Sequence, residues 1–239
     1  MALFGKKKIH PLSVDIHSHL IPNIDDGSQS MDQSINMIRE LAALGINKVV
    51  TTPHIHPRYP NTPEVIMIGL KRLQEELKRC DVEMEVEAAA EYYVDENFIA
   101  KVKARDTLLS FGDNMILVEA PFQNKPIYFE SAMFDLMAIG LQPVLAHPER
   151  YQFLEGSINW LEELKEIGVM FQITLGSIGG YYGAVPQKLG KYLIKLGLVD
   201  FLGSDLHRQA HIPFMKKGLE SSEIQKLIKN GSLKNQELL

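Results

Sequence analysis

The chain has 239 residues, 45% hydrophobic and 23% charged, which is enough to bury a sizeable core without disulfides or a structural metal. A net charge of -5 at pH 7 argues against a general nucleic-acid binder, which presents a basic face. Cys80 is the only cysteine, so no intramolecular disulfide forms, and no apolar stretch is long enough to span a bilayer.

The N-terminal arm, residues 1–12, carries Lys6, Lys7 and Lys8 without a following apolar run, so it reads as a solvated terminus rather than a signal peptide. Together with the lone cysteine, this suits a cytoplasmic protein. A first strand over 13–17 carries Asp15, His17 and His19 at alternate positions, which strand geometry puts on one face. Asp25-Asp26-Gly27 follows as a turn, or as carboxylates that order ligands through hydrogen bonds. The spacing of Met31, Ile35, Ile38, Leu41 and Ala42 predicts a helix over 30–44, stopped by Gly45. A strand over 48–52 leads to His54 and His56, and a helix over 63–79 ends at Cys80. The residues after Cys80 include no arginine to bind phosphate beside a thiolate, which excludes a cysteine-nucleophile phosphatase.

Further strands over 85–90, 115–119 and 143–146 lead to Glu91, Glu119 and His147. Helical patterns cover 127–139, 157–167 and 186–196, and strands cover 169–173 and 199–203. The last strand leads to Asp205 and His207, and residues 211–239 read as a helical tail. The glycine-rich stretch 176–183 reads as a flexible rim or an anion-binding loop, and it matches neither a P-loop nor a dinucleotide fingerprint. His10 and His211 fall outside the pattern and read as structural or solvated. Gly45, Gly140, Gly168 and Gly197 each separate a helix from a strand, and no linker divides the chain. The expected architecture is therefore α/β, one domain over 1–239, with seven parallel strands closing into a barrel.

In such a barrel the C-terminal strand ends converge on one face. Six of the eight histidines and several carboxylates lie at those ends, where chance would scatter them over helices and loops as well. Imidazoles and carboxylates together suit Mn²⁺, Fe²⁺ or Zn²⁺, and this many candidates implies two or three ions. Each motif alone has a plainer reading: a His-x-His pair is often solvated, and Glu119 before Ala-Pro could cap a loop. A carboxylate inside an apolar run, as at Asp15 and Glu119, still needs a partner.

Four segments carry a resemblance: Asp15 to Gly27, Thr52 to Tyr59, Leu145 to Tyr151 and Gly203 to His207. Together they resemble the PHP (polymerase and histidinol phosphatase) superfamily, most closely its bacterial capsule-biosynthesis tyrosine phosphatases of the CpsB/YwqE type. The resemblance implies a distorted (β/α)7 barrel with a manganese-loaded trinuclear centre. By position, His17, His19, Glu91 and Asp205 would hold one ion, and Glu91 would bridge to a second held by Glu119 and His147. His54 and His207 would hold the third, aided by Asp205 or His56. Asp15, Asp25, Asp26 and His56 would then support the ligands.

Divalent ions lower the pKa of bound water to about 7, so attack of water on phosphorus is the expected chemistry. Arg150 could clamp a phosphoryl oxygen, with Arg58 and Arg208 as further candidates, and His54 or His56 could supply acid. A tyrosine leaving group, with a free pKa of about 10, needs little acid help. The implied substrate is a phosphotyrosine protein, a bacterial tyrosine kinase of capsule or exopolysaccharide synthesis, with no membrane insertion. Two alternatives are a phosphatase for a small metabolite such as histidinol phosphate, and a noncatalytic phosphopeptide-binding module. Relative turnover separates the first, and tight binding without turnover marks the second.

Overall fold

A computed structural model describes residues 11–154 and 156–239, so Lys6, Lys7, Lys8 and His10 lie outside the described residues. The strands are β1 (Val14–Asp15), β2 (Lys48–Thr51), β3 (His54–Ile55), β4 (Glu85–Ala88), β5 (Glu91–Tyr93), β6 (Met115–Glu119), β7 (Gln142–Ala146), β8 (Met170–Thr174) and β9 (Phe201–Gly203). Every pairing is parallel, in the orders β1-β2-β4 and β3-β5-β6-β7-β8-β9.

β2 and β3 form one stave interrupted at Thr52-Pro53, and β4 and β5 form its neighbour, interrupted at Ala89-Ala90. Proline has no N–H to give to a ladder, which accounts for the break. The register survives it, because Ala89 N donates to Thr51 O (2.9 Å) and Glu91 N to Pro53 O (3.1 Å). The ring closes where Ser18 pairs with Leu206. There His19 N donates to Leu206 O (3.0 Å) and Asp205 N to His17 O (2.7 Å). Seven staves thus close into a distorted (β/α)7 barrel.

The helices are α1 (Met31–Ala43), α2 (Pro63–Arg79), α3 (Glu96–Ala104), α4 (Phe129–Ala138), α5 (Asn159–Glu166), α6 (Leu175–Gly179), α7 (Ala184–Leu196), α8 (Ile212–Leu219) and α9 (Ser222–Asn230). Ser30, Thr62 and Asp95 cap α1, α2 and α3 by accepting from the backbone N–H three residues on. Gly45, Gly140, Gly168 and Gly197 all take positive φ (91°, 86°, 98° and 71°), the left-handed exit that turns a helix into the next strand. Cys80 is the C-cap of α2, as its position suggests.

Two expectations need correction. Ala42 is exposed, and Met37 takes its place on the buried face of α1. The stretch 176–183 is not a flexible rim, because its first half lies in α6, whose residues are all buried. His211 is buried at the N-cap position of α8, in keeping with its structural reading.

Strand alternation explains how a polar site sits on an apolar floor. Ala89, Leu117 and Phe201 pack together with Val14, Val50 and Val144. Two residues beyond Ala89 comes Glu91, two beyond Leu117 comes Glu119, and four beyond Phe201 comes Asp205. Period-two geometry keeps Glu91 and Glu119 in line with their apolar partners, whereas Asp205 lies beyond the end of β9 with a positive φ of 51°.

Candidate metal centre

Glu91 is the hub. Its carboxylate is fully buried at the start of β5, and Oε2 lies 3.3 Å from His17 Nε2, 3.5 Å from His19 Nε2 and 3.0 Å from His54 Nδ1. Its other oxygen, Oε1, lies 3.0 Å from His147 Nε2. Four imidazoles from three chain segments therefore face one carboxylate. Glu119 joins them, 3.6 Å from His147 and 4.0 Å from His54. Asp205 Oδ1 lies 3.4 Å from His17, 3.6 Å from His19 and 3.4 Å from His207 Nδ1.

The outward nitrogens of the first two histidines are held from behind. His17 Nδ1 meets Gln172 Oε1 at 2.8 Å, and His19 Nδ1 meets Asp25 Oδ2 at 2.8 Å. Acceptors on Nδ1 keep the proton there and leave Nε2 free to bind a cation. Asp25 also accepts from Gly27 N (2.9 Å) and His54 N (3.1 Å), tying the first loop to the second. Tyr151 steadies two more of these groups: its hydroxyl donates to Ala146 O (2.9 Å) and accepts from Ala120 N (3.0 Å), the neighbours of His147 and Glu119. His147 and Asp205 take positive φ, 33° and 51°. A non-glycine residue held there costs about 1–3 kcal/mol, a strain the surrounding structure sustains at functional positions.

The alternation that should carry Asp15 alongside His17 and His19 stops short, because β1 ends at Asp15. Asp15 Oδ1 accepts from Ser204 N (2.8 Å) and His17 N (3.3 Å), so it braces β1 against the chain after β9. Burial pushes its pKa up to about 6. Asp26 lies closer in than a supporting role implies: its Oδ1 is 3.5 Å from His54 Nε2 and 3.4 Å from His207 Nε2. His56 is half-buried, set edge-on to Tyr93 at 4.3 Å, and is in none of the ligand clusters. Among the sequence candidates, Arg150 reaches the centre, where its Nη1 contacts Asp205 Oδ2. Arg58 is exposed on the rim of the cavity, whereas Arg208 is exposed and does not line it. Gln172 was missed as a brace and Asp26 as a direct donor. A polar residue inside Met-Phe-Gln-Ile-Thr is the one signal that pointed to Gln172.

The cavity over these groups measures about 520 Å³, and Tyr59, Tyr93 and Phe122 stand around its mouth. The residues fit divalent cations. Burial opposes protonation of His17, but the Glu91 and Asp205 carboxylates outweigh it and raise its pKa to about 9. Burial likewise opposes protonation of His19, and Asp25 drives it well up. Burial raises Glu91, but His17 and His54 hold it well below the usual carboxylate range. Burial and then the Glu91 charge push Glu119 up to about 8. Such a cluster demands compensating positive charge, and Glu91 Oε2 is buried without a hydrogen bond. The donors form four overlapping sets, each compact enough for an ion: His17, His19 and Asp205; His17, Glu91 and His147; His54, Glu91 and Glu119; and His19, Asp26, His54 and His207.

A family model described as capsular polysaccharide synthesis, CpsB/CapC, matches residues 13–234. The chain belongs to the CpsB/CapC family. Among its relatives in that family, the tyrosine-protein phosphatase YwqE of Bacillus subtilis is 33% identical over 196 residues, 81% of this chain and 77% of YwqE. CapC of Staphylococcus aureus is 30% identical over 92% of this chain and 90% of its own length. One solved structure comes from work on YwqE and on CpsB of Streptococcus pneumoniae, described as unique metal-dependent tyrosine phosphatases. It matches with a TM-score of 0.84 at 30% identity, covering 95% of this chain and 94% of its own. Among the described residues no helix is long and apolar enough to cross a membrane.

Proposed function

We propose that this CpsB/CapC family member is a metal-dependent phosphoesterase that hydrolyses phosphotyrosine on proteins. One observation carries the reading: the buried Glu91 carboxylate faces four imidazoles, with Glu119 and Asp205 alongside. The ions are two or three in number, with Mn²⁺ preferred and iron or zinc able to substitute. His17, His19, Glu91 and Asp205 hold one ion; Glu91, Glu119 and His147 hold a second; Asp26, His54 and His207 hold a third. When bound, divalent ions supply Lewis acidity and a water acidic enough to ionise near pH 7.

The chain's own groups do the rest. Gln172 and Asp25 fix the imidazole orientations, and Arg150 binds a phosphoryl oxygen as a forked donor. Tyr59, Tyr93 and Phe122 form an aromatic mouth that accepts the aryl ring of the substrate. The phenolate leaves at a pKa of about 10, so solvent suffices as acid. Names of the relatives and the family's link to capsular polysaccharide synthesis support a cytoplasmic tyrosine kinase of that process as the substrate. Histidinol phosphate, an alkyl ester lacking an aryl ring, suits this mouth less well.

Chelation should abolish hydrolysis of p-nitrophenyl phosphate, and added Mn²⁺ should restore it. His147→Ala should eliminate turnover while the protein stays folded, and kcat/KM should favour a phosphotyrosine peptide over histidinol phosphate. Full turnover by metal-stripped protein would overturn the reading.

A further inference from the structure

The glycine-rich stretch that ends α6 delivers two adjacent tyrosines in different directions. Gly180 (φ 94°) and Gly183 (φ 91°) turn the chain on either side of them. Tyr181 packs against His211 (4.3 Å) and Phe214 (5.2 Å), which anchors the turn to α8. Tyr182 points the other way, towards the metal centre. The Arg150 guanidinium sits 4.1 Å from the centre of the Tyr182 ring and 4.9 Å from that of Phe122. The Tyr182 hydroxyl donates to Asp205 Oδ2 at 3.1 Å, the same oxygen that Arg150 contacts. The second oxygen of Asp205 faces His17, His19 and His207.

We infer that Tyr182 is a positioning residue for phosphoryl recognition: with Phe122 it clamps the Arg150 guanidinium between two rings, and through Asp205 it fixes where that guanidinium points. An unrestrained arginine loses substantial rotamer freedom when it binds an anion. Stacking between two rings removes that freedom in advance, and the planar guanidinium suits such a slot where an ammonium does not. The hydroxyl adds direction. By occupying Asp205 Oδ2, it leaves Oδ1 turned to the imidazoles and sets the side from which Arg150 approaches.

This inference rests on the hydrolase reading and on Arg150 binding phosphate. The test uses metal-loaded protein, with metal content measured for each variant. Calorimetric affinity for inorganic phosphate gives a readout separate from turnover. Tyr182→Leu should weaken phosphate binding and lower kcat/KM for p-nitrophenyl phosphate by about tenfold, with bound metal unchanged. Tyr182→Phe keeps the ring and should retain most of the phosphate affinity. Combining Tyr182→Leu with Arg150→Lys should cost little more than Arg150→Lys alone, because the clamp has nothing left to hold. If Tyr182→Leu does not fold, Phe122→Leu replaces it in the same cycle. Wild-type phosphate affinity in Tyr182→Leu, or losses that simply multiply in the double variant, would overturn the clamp. Those outcomes leave the hydrolase reading standing, whereas a wild-type protein inactive with every divalent ion would remove that reading itself.

Discussion

Glu149 sits between two residues of the centre, His147 and Arg150, yet its carboxylate turns to Thr174 N and belongs to none of the candidate ligand sets. It is fully buried, with Oε1 accepting from Thr174 N at 2.9 Å and Oε2 without a hydrogen-bond partner. Burial pushes its pKa up to about 7. In the unfolded chain the same group titrates near 4.3, so between those values the folded chain keeps a proton the unfolded chain has lost. Stability from this residue is complete below the lower value and falls as pH rises through the upper one, by on the order of 3 kcal/mol. Glu149→Gln keeps the acceptor for Thr174 and removes the titration. Its stability relative to wild type should therefore improve between pH 5 and pH 8, measured by urea midpoints on metal-free protein. Parallel profiles for the two proteins would rule out Glu149 as a titrating group.

The contact of α6 with α8 shows why some elements could not be read in advance. A Cβ added to Gly179 would meet Phe214 O at 1.9 Å, and one added to Gly218 would meet Leu175 O at 2.1 Å. Both obstacles are backbone atoms, which cannot swing aside. Gly218→Ala should therefore push the two helices apart and cost about 1–3 kcal/mol or more, seen as a lower melting temperature. It should also weaken phosphate binding, because Tyr181 and Tyr182 follow α6; a melting temperature equal to wild type would contradict the packing argument. In sequence this stretch reads as a loop, since glycine is a poor helix former and only tertiary packing makes it helical here. The nine-residue α3 escaped notice for a related reason, with only Phe98 and Val102 buried on its face. The strands and their terminal acids were legible because alternation and parallel pairing dictate where they converge. Gln172 and Asp26 were not, because their role depends on which imidazole lies opposite, a relation across the barrel that local spacing does not carry.

At the scale of the whole molecule, the weak point of the barrel is the seam between its first and last strands. Direct pairing of that seam is confined to the top, around Ser18 and Leu206. Lower down, the C-terminal tail fills the gap. Asn235, fully buried, donates through Nδ2 to Val14 O (3.0 Å) and Leu202 O (2.8 Å), while its Oδ1 accepts from Leu202 N (2.9 Å). One amide side chain thereby stands in for a missing stretch of ladder between β1 and β9. Replacing it by alanine leaves buried backbone groups unpaired, at a cost of about 2–4 kcal/mol. For a chain of this size that is a fall of about 5–15 °C in melting temperature. The damage should be confined to stability. Val14 and Leu202 precede His17 and Asp205 by three residues each, so Asn235 acts below the histidine–carboxylate cluster and touches none of its groups. Asn235→Ala at 25 °C should keep its kcat/KM and metal content while melting early. Asn235→Asp, which retains the acceptor but loses both donors and buries a charge, should melt earlier than wild type as well. If Asn235→Ala melted within a degree or two of wild type, the upper pairing alone would be holding the seam.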